Sequence, residues 1–435
     1  MNDYFYPGEN TEKAYLVGLG VRGSRPLLSV DDSLEELALL ADTAGMDVVG
    51  ATSQIVHHID PSTFVGSGKV QEIKDTIEQM DVKTVIFDDE LSPRHQRELE
   101  KRFGQETKVL DRSALILDIF AQHAHTREGS LQVELAQYEY RLPRLTRQWT
   151  HLARQAGGSG SKSGVGLRGP GETQLEVDKR EIGRRITKLK SEIEQVRQHR
   201  SRHRQQRSKS GIPVISLVGY TNAGKSTLLK TMTGADVYTA DQLFATLDPT
   251  TRRVELPSNR QVVMTDTVGF IQKLPTTLIA AFRATLEEIL EADILLHVVD
   301  SAHPNVYEQI EAVEDTLAEI DVPPVPRILV WNKIDKLNNL EEIPSEYEGY
   351  EASVPISAQK GIGIDKLFNT IESALKSIMK KSVLMIPYER GDIVSELFTS
   401  ATVEKQEHLE EGIKITAQLS SAIHNRLKEY IVSEE

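Results

Sequence analysis

Apolar residues recur along this chain in three rhythms, and each change of rhythm marks a change of architecture. Between residues 14 and 126, short β-rich runs (YLVGLG, DVVGATSQIV, TVIFDD and TKVLD) alternate with helical stretches at residues 33–44 and 69–80. Alternation of this kind predicts a small parallel α/β domain. From Leu131 the period lengthens. Leu131, Leu135, Tyr138, Leu142, Leu145, Trp149 and Leu152 recur at steps of three and four, and Ile182, Ile186, Leu189, Ile193 and Val196 resume the pattern after a break. These are two helices with coiled-coil seams, and the short connection favours an antiparallel hairpin. Pro143 lacks an N–H and crowds the carbonyl of Glu139, so the first helix is expected to kink or restart there. From residue 212, apolar runs at 212–218, 262–265, 294–299 and 327–331 alternate with helical segments, as in a doubly wound sheet. The tail from residue 382 reads strand, helix, strand pair, helix.

The expected fold class is therefore α/β. It comprises an N-terminal parallel α/β domain (1–127), a long helical hairpin (128–209) with a glycine-rich tip (157–171), a doubly wound domain (210–380) and a small α+β domain (381–435).

Candidate chemistry centres on Gly219-Tyr220-Thr221-Asn222-Ala223-Gly224-Lys225-Ser226-Thr227, between the apolar run 212–218 and a predicted helix. That context is what a P-loop requires. Gly219 and Gly224 let successive backbone N–H groups surround phosphate oxygens at a helix N-terminus. Lys225 would reach the β and γ phosphates, and the Ser226 hydroxyl would ligate Mg2+. Next, Phe244-Ala245-Thr246-Leu247-Asp248 lies in a loop where a threonine is expected to complete the Mg2+ shell; on spacing alone, Thr246, Thr250 and Thr251 compete for that role. A strand ends in Asp266-Thr267-Val268-Gly269. This aspartate can hold Mg2+ through water, and the glycine N–H can bind a γ-phosphate. Asn332-Lys333-Ile334-Asp335 follows another strand. The Asp335 carboxylate can accept from guanine N1–H and the exocyclic amine, and adenine offers neither donor at that edge. Asn332 would tie the base site to the P-loop, with the Lys333 stem over the ring. Ser357-Ala358-Gln359 can offer backbone N–H groups to the guanine carbonyl. In this order the motifs predict GTP binding and hydrolysis, with Lys225, Thr246 and Gly269 in the catalytic roles. Phe270 stands where many GTPases hold a water-orienting glutamine, so unassisted hydrolysis should be slow. Asn222 is suited either to brace the loop or to help bind a monovalent cation such as K+.

Charge adds a second theme. The chain of 435 residues has a net charge of -14, yet residues 141–209 hold 18 lysines and arginines against six acidic residues, a local balance of +12. A local polyanion contact is implied, with Lys162 and Arg168 at the tip and Arg197, Arg200 and Arg204 along the second helix as candidate RNA contacts. Gly164, Gly166 and Gly169 match a dinucleotide fingerprint but follow no strand, so that reading fails. Gly66-Ser67-Gly68-Lys69 is expected to be a plain helix start. Hydrophobic content of 39% and the lack of an apolar run of membrane-spanning length or a signal-peptide pattern predict a cytoplasmic protein without a membrane span. Zero cysteines exclude disulfides, thiolate metal sites and a cysteine nucleophile.

Taken together, the tip sequence GGSGSKSGVGLRGPGETQLEVDKR, the P-loop GYTNAGKST, LFATLDPTTR, DTVGFI and NKID resemble the HflX family of ribosome-associated GTPases over residues from about 15 to 380. The resemblance implies that Thr246 is the switch threonine and that Ser226 and Thr246 are the Mg2+ ligands. It also implies binding to the large ribosomal subunit and its RNA, with the tip near the peptidyl transferase centre, and splitting of stalled or idle ribosomes under stress. Some GTPases with a hydrophobic residue at the Phe270 position use potassium. The free protein is expected to be a monomer. A GTP-dependent switch that binds a protein partner through the hairpin is the alternative.

Overall fold

A computed structural model describes residues 12–24, 26–104, 106–156, 170–210, 212–234, 243–244, 247, 249–273 and 288–434. The chain forms two units. The first is built from residues 1–194 together with two short later segments, 242–244 and 273–282, and the second takes the rest.

The first unit carries a four-stranded, all-parallel sheet in the order β2-β1-β3-β4, with β1 Glu12–Val21, β2 Met46–Val56, β3 Thr84–Phe87 and β4 Lys108–Asp111. The helices between them are α1 Val30–Thr43, α2 Ser67–Met80 and α3 Pro93–Phe103, followed by α4 Arg112–His123. Each boundary has a local cause. Ser29 caps α1 by accepting from Asp32 N, Ser92 caps α3 with Pro93 in the first turn, and Asp111 caps α4 by accepting from Ala114 N. Gly66 opens α2, and Lys69 bonds Thr52 and Glu72, as expected of a plain helix start. The core is aliphatic and aromatic, with Val17, Ile73, Val85, Phe87 and Leu99 buried.

A charged cluster lies inside this unit. Arg112, 1% exposed, reaches Asp88 Oδ1 at 2.6 Å and Glu36 Oε1 at 2.5 Å, and its Nη2 donates to Ser33 O at 3.0 Å. Lys273 adds contacts of 2.5 Å to Asp88 and 2.6 Å to Asp89. Burial alone would raise the Asp88 carboxyl, but Arg112 and Lys273 hold it below the usual range.

Two long helices follow, α5 Arg127–Ala156 and α6 Pro170–Ser210. Their apolar seams are covered where side chains are described: Leu131, Leu135 and Leu189 are buried, and Ile182, Ile186, Ile193 and Val196 half-buried. Arg185 and Glu134 pair at 2.7 Å, and Lys190 and Glu139 at 2.8 Å. The expected restart at Pro143 does not occur, because α5 is helical straight through it. Pro143 removes its own backbone donor, and both flanks are anchored. The Tyr140 hydroxyl donates to Asp111 Oδ1 at 2.8 Å, while Arg144 donates to Leu91 O at 2.8 Å and Gln96 Oε1 at 3.1 Å.

The second unit holds a six-stranded sheet in the order β10-β9-β8-β5-β7-β6, parallel except for the β6–β7 pair. Its strands are β5 Val214–Val218, β6 Thr250–Glu255, β7 Gln261–Asp266, β8 Ile294–Asp300, β9 Arg327–Asn332 and β10 Ala352–Pro355. Helices α7 Lys225–Thr233, α8 Val306–Glu319 and α9 Ile364–Ser377 are interleaved with them. Four further strands, β11 Lys380–Ile386, β12 Thr402–Leu409, β13 Gly412–Leu419 and β14 Ile431–Glu434, form an antiparallel sheet in the order β12-β13-β11-β14. The helix expected at residues 421–430 is present as an α-helix at Ser421–Arg426 and a 3-10 turn at Lys428–Tyr430, and the strand β14 that follows was not foreseen. No helix among the described residues is long and apolar enough to cross a membrane.

Candidate functional site

The second unit's candidate site forms where β5, β7 and β9 deliver their C-terminal ends, as expected for an open parallel sheet. β5 runs into the loop 219–224, and α7 starts at Lys225. Glycine is required at two points of this loop. At Gly219 (φ +148°) a Cβ would lie 2.2 Å from Val298 O, and at Gly224 (φ +94°) one would lie 2.3 Å from Asn332 Nδ2. Asn222 also takes a left-handed conformation, φ +59°.

Lys225 is buried, and its Nζ donates to Gly219 O at 2.9 Å and Tyr220 O at 2.8 Å. Burial pushes its ammonium down to about 8, with Asp266 acting in the opposite direction. Ser226 Oγ donates to Asp266 Oδ2 at 2.6 Å, joining the start of α7 to the end of β7. A hydroxyl beside a carboxylate is the all-oxygen donor set that suits Mg2+, which typically keeps several waters and takes only one or two protein groups alongside phosphate oxygens. Thr227 follows on α7, and Thr267 is buried with its hydroxyl donating to Leu217 O at 2.6 Å. Val268 and Gly269 complete the turn after β7. A Cβ on Gly269 would sit 2.8 Å from Thr221 Cα and 3.1 Å from Lys225 Nζ, so the glycine backbone lies directly beside the lysine.

Asn332 ends β9 and is 2% exposed. Its Nδ2 donates to Ala223 O at 2.8 Å, and its Oδ1 accepts from Ala358 N at 2.9 Å. The Ala358 amide, expected to face a guanine carbonyl, is thus engaged by Asn332. Lys333 (φ +64°) pairs with Asp300 at 2.7 Å, which extends its stem. Asp335 accepts from Ser357 Oγ at 2.6 Å, with Lys360 at 3.7 Å. The Ser357 hydrogen bond is the main reason its carboxyl titrates below the ordinary aspartate range. Ile334 is buried beneath this turn, and Gln359 is exposed beyond it.

The structure therefore brings together residues 219–227, 266–269, 332–335 and 357–359. Phe244 is placed in the first unit, where its buried ring meets Phe120 edge-on at 4.6 Å. Leu247 is buried. Ala245, Thr246 and Asp248 lie outside the described residues, as do Lys162 and Arg168. Arg197 is exposed on α6, while the side chains of Arg200 and Arg204 on the same helix are not among those described. Thr250 and Thr251 belong to β6, with Thr251 Oγ1 3.2 Å from Thr265 Oγ1.

Two contacts had not been foreseen. Thr231 Oγ1 donates to Ala358 O at 2.7 Å, and Gln272 N donates to the Tyr220 hydroxyl at 2.9 Å. A tyrosine inside a glycine-rich loop was the only sequence signal for the second.

Comparison with known proteins decides the family. The chain is 45% identical over 403 residues to GTPase HflX of Caldanaerobacter subterraneus subsp. tengcongensis, covering 93% of this chain and 91% of that protein. It is 45% identical over 393 residues to GTPase HflX of Escherichia coli strain K12, covering 90% of each. This chain belongs to the HflX family of GTPases. Family models match in series: a GTP-binding GTPase N-terminal region at residues 31–121, a GTP-binding GTPase middle region at 123–207, a 50S ribosome-binding GTPase at 214–333 and an HflX C-terminal domain at 342–431. A solved GTP-binding protein of Sulfolobus solfataricus in complex with GDP is 26% identical and covers 84% of this chain and 98% of its own, with a TM-score of 0.43. As an HflX GTPase, the chain binds and hydrolyses GTP.

Proposed function

We propose that this HflX GTPase uses GTP as a timer on the large ribosomal subunit, splitting or recycling stalled or idle ribosomes under stress. The observation that carries this reading is the match of the 50S ribosome-binding GTPase model to residues 214–333, the stretch that holds the P-loop, residues 266–269 and Asn332. In this reading the amides of residues 219–224 and Lys225 hold the phosphates, Gly269 N contacts the γ-phosphate, and Asp335 selects guanine. Ser226 and Thr246 would hold Mg2+, which supplies positive charge at the β and γ phosphates when bound. Lys162, Arg168, Arg197, Arg200 and Arg204 would meet ribosomal RNA, with domain boundaries near residues 127, 209 and 380. The protein works in the cytoplasm and is a monomer when free.

Co-sedimentation with ribosomal subunits tests the proposal, comparing a non-hydrolysable GTP analogue with GDP. Binding to the large subunit that depends on the analogue, with loss of intact ribosomes, is the expected result. That binding should weaken steeply with salt and with Lys162→Ala or Arg168→Ala. Absence of ribosome binding in both nucleotide states overturns the proposal and turns attention to a protein partner for the hairpin. Turnover in potassium against sodium buffer tests the monovalent-cation role of Asn222.

A further inference from the structure

Away from the nucleotide site, the second unit has a cavity of about 400 Å³ between α8 and the loop that precedes β10. Tyr307, Tyr347 and Tyr350 form its aromatic wall, and Glu308, Glu311, Glu314 and Glu348 supply its charge. The rings of Tyr307 and Tyr347 lie 6.4 Å apart and within 12° of parallel, and Tyr350 stands edge-on to Tyr347 at 5.7 Å. Behind them Trp331, 2% exposed, contacts both Tyr307 and Tyr347 at ring distances of 6.1 and 6.3 Å. The wall is therefore set from inside the core.

The acidic groups divide into two sets. Glu314 is fully engaged: one oxygen accepts from the Tyr350 hydroxyl at 2.5 Å, and the other pairs with Arg327. Among the described residues, none of Glu308, Glu311 and Glu348 has a basic partner. The Tyr347 hydroxyl registers the resulting field. Burial first, then Tyr307, Glu311 and Glu314, raise its titration above the ordinary tyrosine value. Ring faces carry negative quadrupole density, so tyrosine walls and free carboxylates favour the same class of guest.

We propose that this pocket binds an organic cation, a guanidinium or ammonium group on a linear chain, held over the Tyr347 ring with its charge toward Glu311 and Glu308. A cavity of this volume lies within the range of small-ligand sites and accepts a single long side chain or a short polyamine. Planar guanidinium suits it best, since one such group can stack on an aromatic face and donate to two carboxylates together. The source is either an arginine presented by a basic peptide or a free polyamine, and the same chemistry serves both.

Isothermal titration of the full-length protein with arginine amide, a blocked Gly-Arg-Gly peptide, spermidine and citrulline amide tests the assignment. Saturable one-to-one binding of the cations is expected, with no response to neutral citrulline amide. Both Glu311→Gln and Tyr347→Leu should weaken binding by about tenfold or more. GTP binding should be unchanged by Glu311→Gln. Tighter binding of the peptide assigns the site to a protein arginine, and tighter binding of spermidine assigns it to a polyamine. No saturable heat with any cation, or equal binding of citrulline amide, overturns the proposal. So does binding that survives Glu311→Gln, and this exposed substitution decides the matter even where Tyr347→Leu fails to fold.

Discussion

Replacing Asn332 by alanine is the sharpest test of how the nucleotide site is held. Its side chain is the bridge between two loops, donating to Ala223 O in the P-loop and accepting from Ala358 N in the loop after β10. Both partners are buried at 1% exposure. Truncation therefore strands one buried acceptor and one buried donor. Each stranded group costs about 1–3 kcal/mol, so the second unit should lose about 2–6 kcal/mol, less whatever water entering the vacated space restores. Losing the bridge also leaves the two loops to be ordered by the nucleotide. Guanine-nucleotide affinity should fall by about 10–100-fold, equivalent to about 1.4–2.8 kcal/mol.

Urea unfolding with and without GDP, together with titration of a fluorescent GDP analogue, measures both quantities. Asn332→Asp sharpens the result, because it keeps an acceptor for Ala358 N but sets an oxygen against Ala223 O. It should be at least as damaging to affinity as alanine. Gly224→Ala approaches the same bridge from the other side, since its methyl would meet Asn332 Nδ2 at 2.3 Å. The double variant should be less damaged than the sum of the singles, because the clash and the bridge vanish together. A loss below about 0.5 kcal/mol with affinity within threefold of wild type would refute the bridging argument.

Three further outcomes follow from the same geometry. Asp335→Asn replaces two acceptors by a donor and an acceptor, so GTP affinity should drop by about 100-fold while xanthosine triphosphate, with a carbonyl in place of the amine, gains; competitive binding reads the exchange. Arg112→Met leaves Asp88 and Glu36 buried without their shared cation and should destabilise the first unit by about 3–5 kcal/mol, with Arg112→Lys intermediate, as followed by chemical unfolding. His297 is 1% exposed, and burial pushes it down to about 3, with Lys225 and Arg327 adding to the shift. Below the ordinary value of 6.5 the unfolded chain takes a proton that the native one refuses. Stability is thus fully present above pH 6.5 and is lost as pH falls toward 3. Between pH 4 and 6 the slope of unfolding free energy should exceed that of His297→Gln by up to about 1.4 kcal/mol per pH unit, and equal slopes would contradict it.

Strands were the most legible part of the fold, because short β-branched runs bounded by turns have few alternatives. Helices α3 and α4 escaped for opposite reasons. Only Leu99 and Phe103 are buried along PRHQRELEKRF, too sparse a pattern to register, while RSALILDIFAQH is apolar on most sides and lacks a clear period. β14 was not foreseen because a strand of four residues carries no period. The buried cluster of Glu36, Asp88, Arg112 and Lys273 had no sequence signature, since its members are far apart in the chain. In the nucleotide site the situation reverses. Phosphate and guanine chemistry demands particular residues at fixed places on successive strands, so the grouping of residues 219–227, 266–269 and 332–335 at the strand ends could be expected in advance. What could not be read was how they are fastened, through Thr231 to Ala358 and Tyr220 to Gln272.

That fastening bears on the absent glutamine. Phe270 is 3% exposed and is paired along its backbone with the P-loop. Its N–H donates to Gly219 O at 3.1 Å, and its carbonyl accepts from Thr221 N at 2.7 Å. Two residues on, Gln272 N is held by the Tyr220 hydroxyl. The segment after Asp266 is thus stitched to the P-loop, and the side chain at position 270 is turned into the protein, where it can orient no water. Gly269 is packed directly beside Thr221 and Lys225. Such a site can hold a γ-phosphate firmly while doing little to activate its attacker. Slow turnover in the free protein is the expected consequence, and it would suit the proposed timer that runs fast only on its target.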